Sequence, residues 1–430
     1  MYDETLVTMA PPRTITPISA VQGSMRVPGS KSIANRALVC AALAQGRSVI
    51  RNMSDSTDTA MMLNGLDQMG VLATATGTDV HVTGTGGVLY APKFPVPVGN
   101  AGTTLRFMIS VAARARGTTT FDGSERMAGR PITPLVEALS GLGVRVEVLA
   151  PMSRYTVHGG TLKGGRTSVS GEKSSQFVSS LLLAAPGLED GLVLDVPGVL
   201  SSAPYVGMTL RVMHAFGAEV SLHDGGFTVD KSERYQPAAY TVEADASGAT
   251  YPFAAVALCG GQVRVPDLAR DSMQSDAGFI DVMCRMGCTV RWEQDAVVLE
   301  RTGELRGIDV DMNAMPDAVP ALVAVALFAA GPTRIRNVAH LRFKESDRLG
   351  TLAEQLRLLG AEITVLDDGL DIHPGVLHGA QLDPHEDHRL AMMFGLIGLR
   401  VPGVIVEDPD CVRKSYPRFW DELARLSHSH

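Results

Sequence analysis

Positively charged side chains recur at places where the sequence predicts that a helix begins. The first place follows the turn Pro28-Gly29, where Lys31 and Arg36 fall in the opening turns of a helix rich in Ala and Leu. A cation near a helix N-terminus is disfavoured by about 0.3–1 kcal/mol, whereas the free backbone N–H groups there bind anions. A bound anion would resolve this conflict, so the stretch is a candidate anion-binding site.

Two other interpretations of this stretch stay open. Its cations could point into solvent at an ordinary surface helix. The segment Gly23–Ser32 also comes close to a nucleotide-binding P-loop, but it reads G-x5-G-S-K-S where the P-loop has G-x4-G-K-[ST]. Because the lysine is displaced by one residue, the sequence disfavours the P-loop.

Three more stretches in the first half place polar or basic residues beside predicted helices. One contains glycines at which a ligand can approach the backbone, one is a loop with two arginines, and one opens a helix with two serines. Taken alone, each is a capped helix start or a solvated loop. The stretches are Gly99–Arg106, Asp122–Pro131 and Lys173–Gln176.

The second half contains three comparable stretches. Lys344–Arg348 places five polar residues in one turn, which alone could be a salt-bridged surface turn. Asp387-His388-Arg389 opens an apolar helix, and Lys414 follows in the segment Cys411–Pro417. Because both halves contain cationic helix starts, the sequence predicts a cleft that binds anions from two sides, and two phosphorylated substrates would suit it.

The elements that must position these residues form a repeat. An apolar run of helical period, a glycine and a short β-like run recur at intervals of roughly 70 residues, which suits a compact α/β unit used several times. Each glycine is predicted to end its helix in the left-handed conformation. The glycines are Gly70, Gly143, Gly217, Gly287 and Gly360, with a last partial copy over Phe419–Leu426.

Between these helices lie others that are apolar on all sides and therefore belong in the interior. They are predicted at Ser32–Ala44, Thr103–Ala113, Ser175–Ala185, Ala249–Leu258, Asp317–Ala330 and Asp387–Leu399. The sequence thus predicts an α/β fold with helices inside and sheets outside, in two groups of three units. The chain would cross between the groups near Pro28 and near Glu243–Ala246, which gives one domain of residues 1–28 plus 245–430 and an inserted domain of residues 29–244.

Composition limits the kind of partner. The 430 residues carry a net charge of −8, which argues against a general nucleic-acid or membrane-surface binder. Five cysteines without a C-x-x-C pair are typical of reduced core residues. Since we find neither a secretory signal nor an apolar run long enough to span a membrane, we expect a cytoplasmic protein.

Taken in order, these motifs resemble those of the 5-enolpyruvylshikimate-3-phosphate (EPSP) synthase family. The resemblance covers nearly the whole chain and includes PGSKS-xx-NRA, GNAGT, SSQF, PDA, KESDR and DHR. It implies an inside-out, barrel-like α/β fold with βαβαββ-type units, two domains that close on the substrates, a monomer, and no metal or organic cofactor. The implied substrates are phosphoenolpyruvate and shikimate 3-phosphate.

The resemblance also implies roles for individual residues. Asp317 and Glu345 would be the acid/base pair, with Glu345 handling the proton at C3 of phosphoenolpyruvate, Asp317 taking the hydroxyl proton and Lys31 assisting. Taken alone, Asp317 is interpreted as a helix N-cap, a role compatible with that of a base. Shikimate 3-phosphate would be held by Lys31, Ser32, Arg36, Ser174, Ser175, Gln176, Ser202, Tyr205, Asp317 and Lys344. Phosphoenolpyruvate would be held by Lys31, Gly102, Arg126, Gln176, Arg348, Arg389 and Lys414.

Two positions depart from the commoner patterns of the family. Phe107 stands where many members have proline, and His340 stands where some have asparagine near the shikimate 3-phosphate site. The family resemblance implies that glyphosate competes for the phosphoenolpyruvate site. Because Gly102 has no side chain to obstruct that inhibitor, we expect the protein to be sensitive to glyphosate. Phe107 could change this sensitivity by shifting the helix that carries Gly102.

Two other functions would also use a pocket that binds anions. The sister enolpyruvyl transferase that acts on a UDP-linked amino sugar typically has Lys-Asn in place of Lys31-Ser32, and it has a cysteine in a mobile loop. Here no cysteine lies between Cys40 and Cys259. A non-catalytic protein that binds phosphorylated ligands would keep the cations but would not need both Asp317 and Glu345.

Overall fold

A computed structural model describes residues 10–427. Residues 1–9 and 428–430, which belong to the predicted domain of residues 1–28 plus 245–430, lie outside the described part. The helices are α1 Lys31–Leu43, α2 Thr57–Gln68, α3 Gly102–Ala112, α4 Glu125–Ala128, α5 Thr133–Gly141, α6 Gln176–Ala184, α7 Pro204–Ala215, α8 Ala246–Cys259, α9 Phe279–Arg285, α10 Val319–Ala326, α11 Arg348–Arg357, α12 His388–Gly398 and α13 Phe419–Ser427. Short 3-10 turns lie at Ala150–Met152, Ser275–Gly278, Pro316–Ala318, Ala339–Phe343 and Pro409–Lys414.

The strands are short, and most have one face turned to the core. They are β1 Arg13–Thr14, β2 Val21–Ser24, β3 Gln45–Arg51, β4 Leu72–Thr76, β5 Asp79–Thr85, β6 Val96–Gly99, β7 Gly117–Gly123, β8 Arg145–Leu149, β9 Arg154–Gly159, β10 Gly165–Ser168, β11 Leu192–Asp195, β12 Ser221–His223, β13 Gly226–Val229, β14 Ala239–Thr241, β15 Gly261–Pro266, β16 Thr289–Trp292, β17 Ala296–Arg301, β18 Asp309–Asp311, β19 Thr333–Arg336, β20 Glu362–Val365, β21 Leu370–His373, β22 Gln381–Leu382 and β23 Ile405–Val406.

Five four-stranded sheets share one arrangement, in which the first two strands are parallel and the other pairs are antiparallel. Their orders are β14-β3-β5-β4, β6-β7-β9-β8, β10-β11-β13-β12, β2-β15-β17-β16 and β18-β19-β21-β20. A sixth sheet, β22-β23-β1, has three strands but keeps the parallel first pair. This shared topology is the repeated α/β unit that the glycine pattern predicts, in the βαβαββ-type form that the family resemblance implies.

The helices and sheets surround two separate hydrophobic cores. One core is built from residues 15–27 and 244–426, and the other from residues 33–242. We call residues 29–244 the insert unit and residues 10–28 with 245–427 the flanking unit. Each unit contains three of the six sheets.

The two crossings between the units run side by side. Ser30 N donates to Glu243 O (2.8 Å), and Asp245 N donates to Pro28 O (2.8 Å). Gly29 lies in this pair, and a Cβ there would come within 1.8 Å of Asn52 O, so only glycine allows the backbone to pass. Strand β2 therefore stays in the flanking unit, while the next element, α1, belongs to the insert unit.

The first helix of each repeat lies inside its unit, as the sequence predicts. All residues of α8, α10 and α12 are buried, as are nearly all residues of α1, α3 and α6. The five repeat glycines have φ between 78° and 112°, which confirms the predicted left-handed helix ends. The helix predicted at Asp317–Ala330 is shorter, because Pro316–Ala318 forms a 3-10 turn before α10. None of the helices within residues 10–427 is long and apolar enough to cross a membrane.

Candidate active site

A pocket lies between the two units. Most of its wall comes from residues at the N-terminal ends of helices, namely α1, α2, α3, α6, α7 and α12. Free backbone N–H groups and helix dipoles at those ends favour anions, so the buried helices direct the same partial charge into one space. The lining residues are Lys31, Ser32, Asp58, Gly102, Thr103, Arg130, Lys173, Ser174, Ser175, Gln176, Ser202, Tyr205, Asp317, His340, Lys344, Glu345, His388 and Arg389.

Asp317 lies at the centre of the cations supplied by the flanking unit. Its Oδ2 accepts a hydrogen bond from Arg389 Nη2 (2.8 Å), and its Oδ1 accepts one from Arg348 Nη1 (3.3 Å) and lies 3.8 Å from Lys344 Nζ. Burial alone would raise the pKa of Asp317, but Arg389, Lys344 and Arg348 outweigh it and hold the pKa below its usual range. The side chain does not cap a helix, so the N-cap interpretation was wrong: Met315 precedes the 3-10 turn that contains Asp317.

Glu345 faces the same pocket from the turn before α11. Its Oε2 accepts a hydrogen bond from Arg348 Nη2 (2.8 Å), and its Oε1 lies 3.7 Å from Arg130 Nη2 of the insert unit. Burial by itself would raise the pKa of Glu345, but Arg130, Arg348 and Lys414 hold it well below its usual range. Glu345 is thus ionised in the unliganded protein.

Arg130 reaches Glu345 by passing over the start of α3. A Cβ on Gly102 would lie 2.5 Å from Arg130 Cζ, so the bare backbone at Gly102 makes room for the guanidinium group. Arg130 Nη1 also donates to Asn100 O (3.0 Å). The glycine therefore allows this cation to approach the α3 N-terminus closely.

Arg348 does not line the pocket but organises it from behind. Its side chain is 1% exposed, and it donates through Nε to Asp387 Oδ2 (2.8 Å) in addition to the bonds to Asp317 and Glu345. Asp387, which is fully buried, caps α12 by accepting from Arg389 N (3.0 Å). The planar guanidinium group of Arg348 thus holds the carboxylates of Asp317, Glu345 and Asp387 in place at the same time.

A second buried carboxylate joins the units. Asp58, near the start of α2, accepts hydrogen bonds from Lys31 Nζ through Oδ2 (2.8 Å) and from Lys414 Nζ through Oδ1 (2.8 Å). Lys414, in the flanking unit, also donates to Asn100 O of the insert unit (2.6 Å). Burial lowers the pKa of Lys414, and Asp58 opposes that effect.

The opposite wall is built around α6. Gln176 accepts a hydrogen bond from Arg106 Nη1 through Oε1 (2.7 Å) and donates through Nε2 to Thr103 Oγ1 (3.0 Å). Its amide orientation is thereby fixed, with Ser174 and Ser175 beside it in the pocket. These hydroxyl and amide groups suit recognition of phosphate and hydroxyl oxygens.

Ser202 and His340 close the pocket at this end. Ser202 adopts φ = 56°, and its hydroxyl lies 3.2 Å from His340 Nε2 across the two units. Burial, followed by the charge of Lys344, lowers the pKa of His340 to about 4, so the imidazole is neutral at neutral pH. A neutral ring can accept as well as donate a hydrogen bond, as an asparagine side chain can at this position.

The structure brings most of the residues predicted from the sequence into one pocket. Lining the pocket are Lys31, Ser32, Gly102, Ser174, Ser175, Gln176, Ser202, Tyr205, Asp317, Lys344, Glu345 and Arg389. Arg348 and Lys414 lie directly behind these residues, through the bonds described above. Arg36 and Arg126 neither line the pocket nor pair with its carboxylates.

Arg36 and Arg126 lie outside the pocket, one in the insert core and the other at the surface. Arg36 is 1% exposed and turns into the insert core, where it donates to Thr209 Oγ1 (2.7 Å) and Tyr205 O (3.2 Å) and packs over the Phe107 ring. Arg126 is 42% exposed and lies 3.9 Å from Glu386 at the outer edge of the units. In this arrangement, Arg36 supports α7 from below, and Arg130 occupies the pocket position expected of Arg126.

Some lining residues were not assigned by sequence reasoning. Arg130 and Lys173 lie in two of the candidate stretches, Asp122–Pro131 and Lys173–Gln176, where their charge is a signal in the sequence. Asp58 resembles an ordinary acidic residue in a first helical turn, which is favourable in any helix, and therefore gave no signal. The others are Thr103 and His388, with His340 noted only as a departure. Within residues 10–427, no group of three or more His, Cys, Asp or Glu side chains is arranged to hold a metal ion.

Comparison with known proteins adds an independent line of evidence. A family model described as EPSP synthase (3-phosphoshikimate 1-carboxyvinyltransferase) matches residues 15–423. A protein named 3-phosphoshikimate 1-carboxyvinyltransferase from Syntrophobacter fumaroxidans is 43% identical over 422 residues, covering 96% of this chain and 99% of that protein. One of the same name from Methanoculleus marisnigri is 42% identical over 406 residues, covering 94% and 96%. An EPSP synthase structure from Acinetobacter baumannii matches with a TM-score of 0.81 at 24% identity, covering 97% of this chain and 98% of that chain, which confirms the predicted fold.

Proposed function

The chain belongs to the EPSP synthase family and transfers the enolpyruvyl group of phosphoenolpyruvate to the 5-hydroxyl of shikimate 3-phosphate, and we propose that it does so in the pocket between the two units. The observation that carries this proposal is the convergence of cations from both units on two carboxylates, Asp317 and Glu345. Both substrates carry a phosphate and a carboxylate, so a pocket of this charge pattern matches them.

The proposed binding residues divide along the pocket. Shikimate 3-phosphate lies against α6, α7 and the turn that carries Lys344, where hydroxyl and amide groups can bind its oxygens. Phosphoenolpyruvate lies at the α3 and α12 N-termini, where guanidinium groups can pair bidentately with its carboxylate and phosphate. For the first substrate we propose Lys31, Ser32, Ser174, Ser175, Gln176, Ser202, Tyr205, Asp317 and Lys344, and for the second Lys31, Gly102, Arg130, Gln176, Arg348, Arg389 and Lys414.

The addition and the elimination each need two proton transfers. In the addition, the 5-oxygen bonds to C2 of phosphoenolpyruvate, Asp317 takes the hydroxyl proton, and Glu345 protonates C3. In the elimination, Glu345 takes a proton from C3, the bond from C2 to the phosphate oxygen breaks, and the phosphate leaves with the proton that Asp317 had taken from the hydroxyl group. Lys31 lies where it can neutralise charge on the phosphate oxygens.

Substrate binding produces the protonation states of Asp317 and Glu345 that the addition and elimination steps require. In the free protein, both carboxylates are ionised, since the surrounding cations lower each pKa. When phosphoenolpyruvate binds close to Arg130, Arg348 and Lys414, its negative charge offsets theirs, and the pKa of Glu345 rises. Glu345 then takes up a proton only when a substrate is present to receive it.

We propose that the insert and flanking units correspond to the predicted domains 29–244 and 1–28 plus 245–430, and that they move as domains. Asp58 with Lys414, and Arg130 with Glu345, join the units around the pocket, so substrate must enter before these contacts form. We also propose that the protein acts as a cytoplasmic monomer, with no nucleic-acid or membrane partner.

The proposed reaction is tested by measuring phosphate release from phosphoenolpyruvate with each of two acceptors. We expect release with shikimate 3-phosphate and none with UDP-N-acetylglucosamine, since the family is that of EPSP synthases. Release only with the second acceptor would move the protein to the sister transferase. Release with neither would leave a binding protein or an enzyme with another acceptor.

Glyphosate provides a second test at the phosphoenolpyruvate end. The α3 helix keeps its full length with Phe107 buried at 0% exposure, and Gly102 adds no side chain at its start, where Arg130 lies close to the backbone. We therefore expect glyphosate to raise the apparent KM for phosphoenolpyruvate without changing kcat, measured at fixed shikimate 3-phosphate. Uninhibited turnover at millimolar glyphosate would contradict this prediction.

A further inference from the structure

One hydrogen bond links a pocket tyrosine to a buried carboxyl group of the other unit. The hydroxyl oxygen of Tyr205, on α7 of the insert unit, is 2.8 Å from Oδ2 of Asp276. Asp276 lies in the 3-10 turn Ser275–Gly278 of the flanking unit. Tyr205 lines the pocket, whereas Asp276 is 3% exposed and does not line it. Asp276 can therefore act on a substrate only through the tyrosine.

The groups around Asp276 stabilise its ionised form only poorly. Its second oxygen, Oδ1, is buried without a hydrogen-bond partner among residues 10–427. The charged or titratable groups that face it are Tyr205, Asp317, Arg389 on α12 and Asp245 at the start of α8. An isolated buried carboxylate with an unpaired oxygen is costly, and the neutral acid avoids that cost.

These surroundings bring the titration of Asp276 into the physiological range. Burial, followed by the negative charge of Asp317, raises the pKa of Asp276, and the hydrogen bond from Tyr205 and the charge of Arg389 oppose them only in part, leaving the pKa at about 7. Both protonation states are thus populated near neutral pH. A bound substrate anion would raise the pKa further by adding negative charge.

The two states reverse the direction of the hydrogen bond. An ionised Asp276 only accepts, so the Tyr205 hydrogen points to it and the phenol offers lone pairs to the pocket. A neutral Asp276 can donate to the phenol oxygen, which frees the Tyr205 hydrogen for the pocket. Shikimate 3-phosphate presents phosphate and carboxylate oxygens, which are acceptors, so a donating Tyr205 is the matching form.

We propose that Asp276 is a positioning residue that makes the Tyr205 hydroxyl a hydrogen-bond donor to shikimate 3-phosphate. The inference rests on the proposed function, because it assumes that Tyr205 contacts this substrate. It predicts that the affinity for shikimate 3-phosphate falls as Asp276 ionises. The sign follows from linkage: a state that binds one more proton is favoured at low pH, and its advantage falls by up to about tenfold per pH unit above the pKa.

The test compares Asp276→Asn with the wild-type protein in the KM for shikimate 3-phosphate from about pH 6 to about pH 8.5, a range that brackets a group titrating near neutrality. The asparagine amide can donate to the phenol oxygen but cannot ionise, so it should keep the low-pH KM at every pH. We therefore expect the ratio of wild-type to variant KM to rise above pH 7 by up to about tenfold per unit. Ionisation of the substrate phosphate cancels in this ratio.

Three further variants make the result specific. Asp276→Ala removes the group that orients the phenol, so it should raise KM above the wild-type value at low pH and abolish the rise above pH 7, and Tyr205→Phe should raise KM and flatten its pH dependence. Asp281→Asn removes a neighbouring exposed carboxylate and should behave as wild type. Thermal melting of each variant shows whether it is folded, and if Asp276→Asn does not fold, Tyr205→Phe alone decides the proposal.

The outcomes separate this inference from the proposed function. A wild-type protein that releases no phosphate with shikimate 3-phosphate would remove the proposed function itself. An active wild type whose KM ratio to Asp276→Asn stays constant with pH would overturn the role of Asp276. Equal losses in the Asn and Ala variants at every pH would also overturn it, because they would indicate a structural contact that only aspartate satisfies.

Discussion

Replacing Glu345 with glutamine is expected to lower kcat by about 10²- to 10⁴-fold, the range that general acid–base catalysis contributes. Glutamine has nearly the same shape and can still accept a hydrogen bond from Arg348, which lies 2.8 Å from the carboxylate. It cannot take up or release a proton. Because C3 must gain a proton in the addition and lose one in the elimination, the variant should fail at both steps while the KM for shikimate 3-phosphate changes little.

A deuterium-exchange measurement separates this loss from misfolding. In D2O, the wild-type protein should introduce deuterium at C3 of phosphoenolpyruvate during reversible addition, and Glu345→Gln should not. Glu354→Gln is the matched control, since Glu354 is exposed on α11 and should leave both kcat and exchange unchanged. Near-normal turnover of folded Glu345→Gln would assign the C3 proton to another group.

Local patterns in the sequence were enough to predict the repeat and most of the pocket. A glycine after an apolar helical run needs a left-handed conformation wherever the chain then goes, so Gly70 and Gly360 could be interpreted without tertiary information. Cations at helix starts are unfavourable locally, so Lys31 and Arg389 indicated a partner that the sequence did not contain. Such conflicts between local preference and residue type mark sites in many proteins.

The direction of a side chain depended on packing that the sequence does not encode locally. Arg36 occupies a helix start like Lys31, but every residue from Ile33 to Leu43 in α1 is buried, so Arg36 had to turn inward and find hydroxyl and carbonyl partners there. Arg126 and Arg130 share one short loop, and only the fold of α4 decides which one faces the pocket. The pairing of Tyr205 with Asp276 joins residues 71 positions apart, and no periodicity connects them.

Replacing Arg348 with methionine is expected to destabilise the flanking unit by about 3–5 kcal/mol, the cost of leaving a buried carboxylate without its cation. Methionine keeps much of the volume but none of the bonds to Asp317, Glu345 and Asp387. For a unit of this size, the melting temperature should fall by about 2–4 °C per kcal/mol. Differential scanning calorimetry checks this prediction. Arg418→Met is the control, because the Arg418 side chain is 62% exposed and its ion pair with Glu422 is long at 3.9 Å.

The pH dependence and a double variant identify the carboxylates as the cause. The pKa values of Asp317 and Glu345 lie below their usual range, so their contribution to stability is present at neutral pH and is lost as the pH falls. The difference in melting temperature between wild type and Arg348→Met should therefore shrink at acid pH, where the carboxylates of the variant are protonated.

Adding Asp387→Asn to Arg348→Met removes the fully buried charge and keeps an α12 cap, so it should recover part of the loss. If it recovers nothing at neutral pH, the loss arises from packing rather than from unpaired charge.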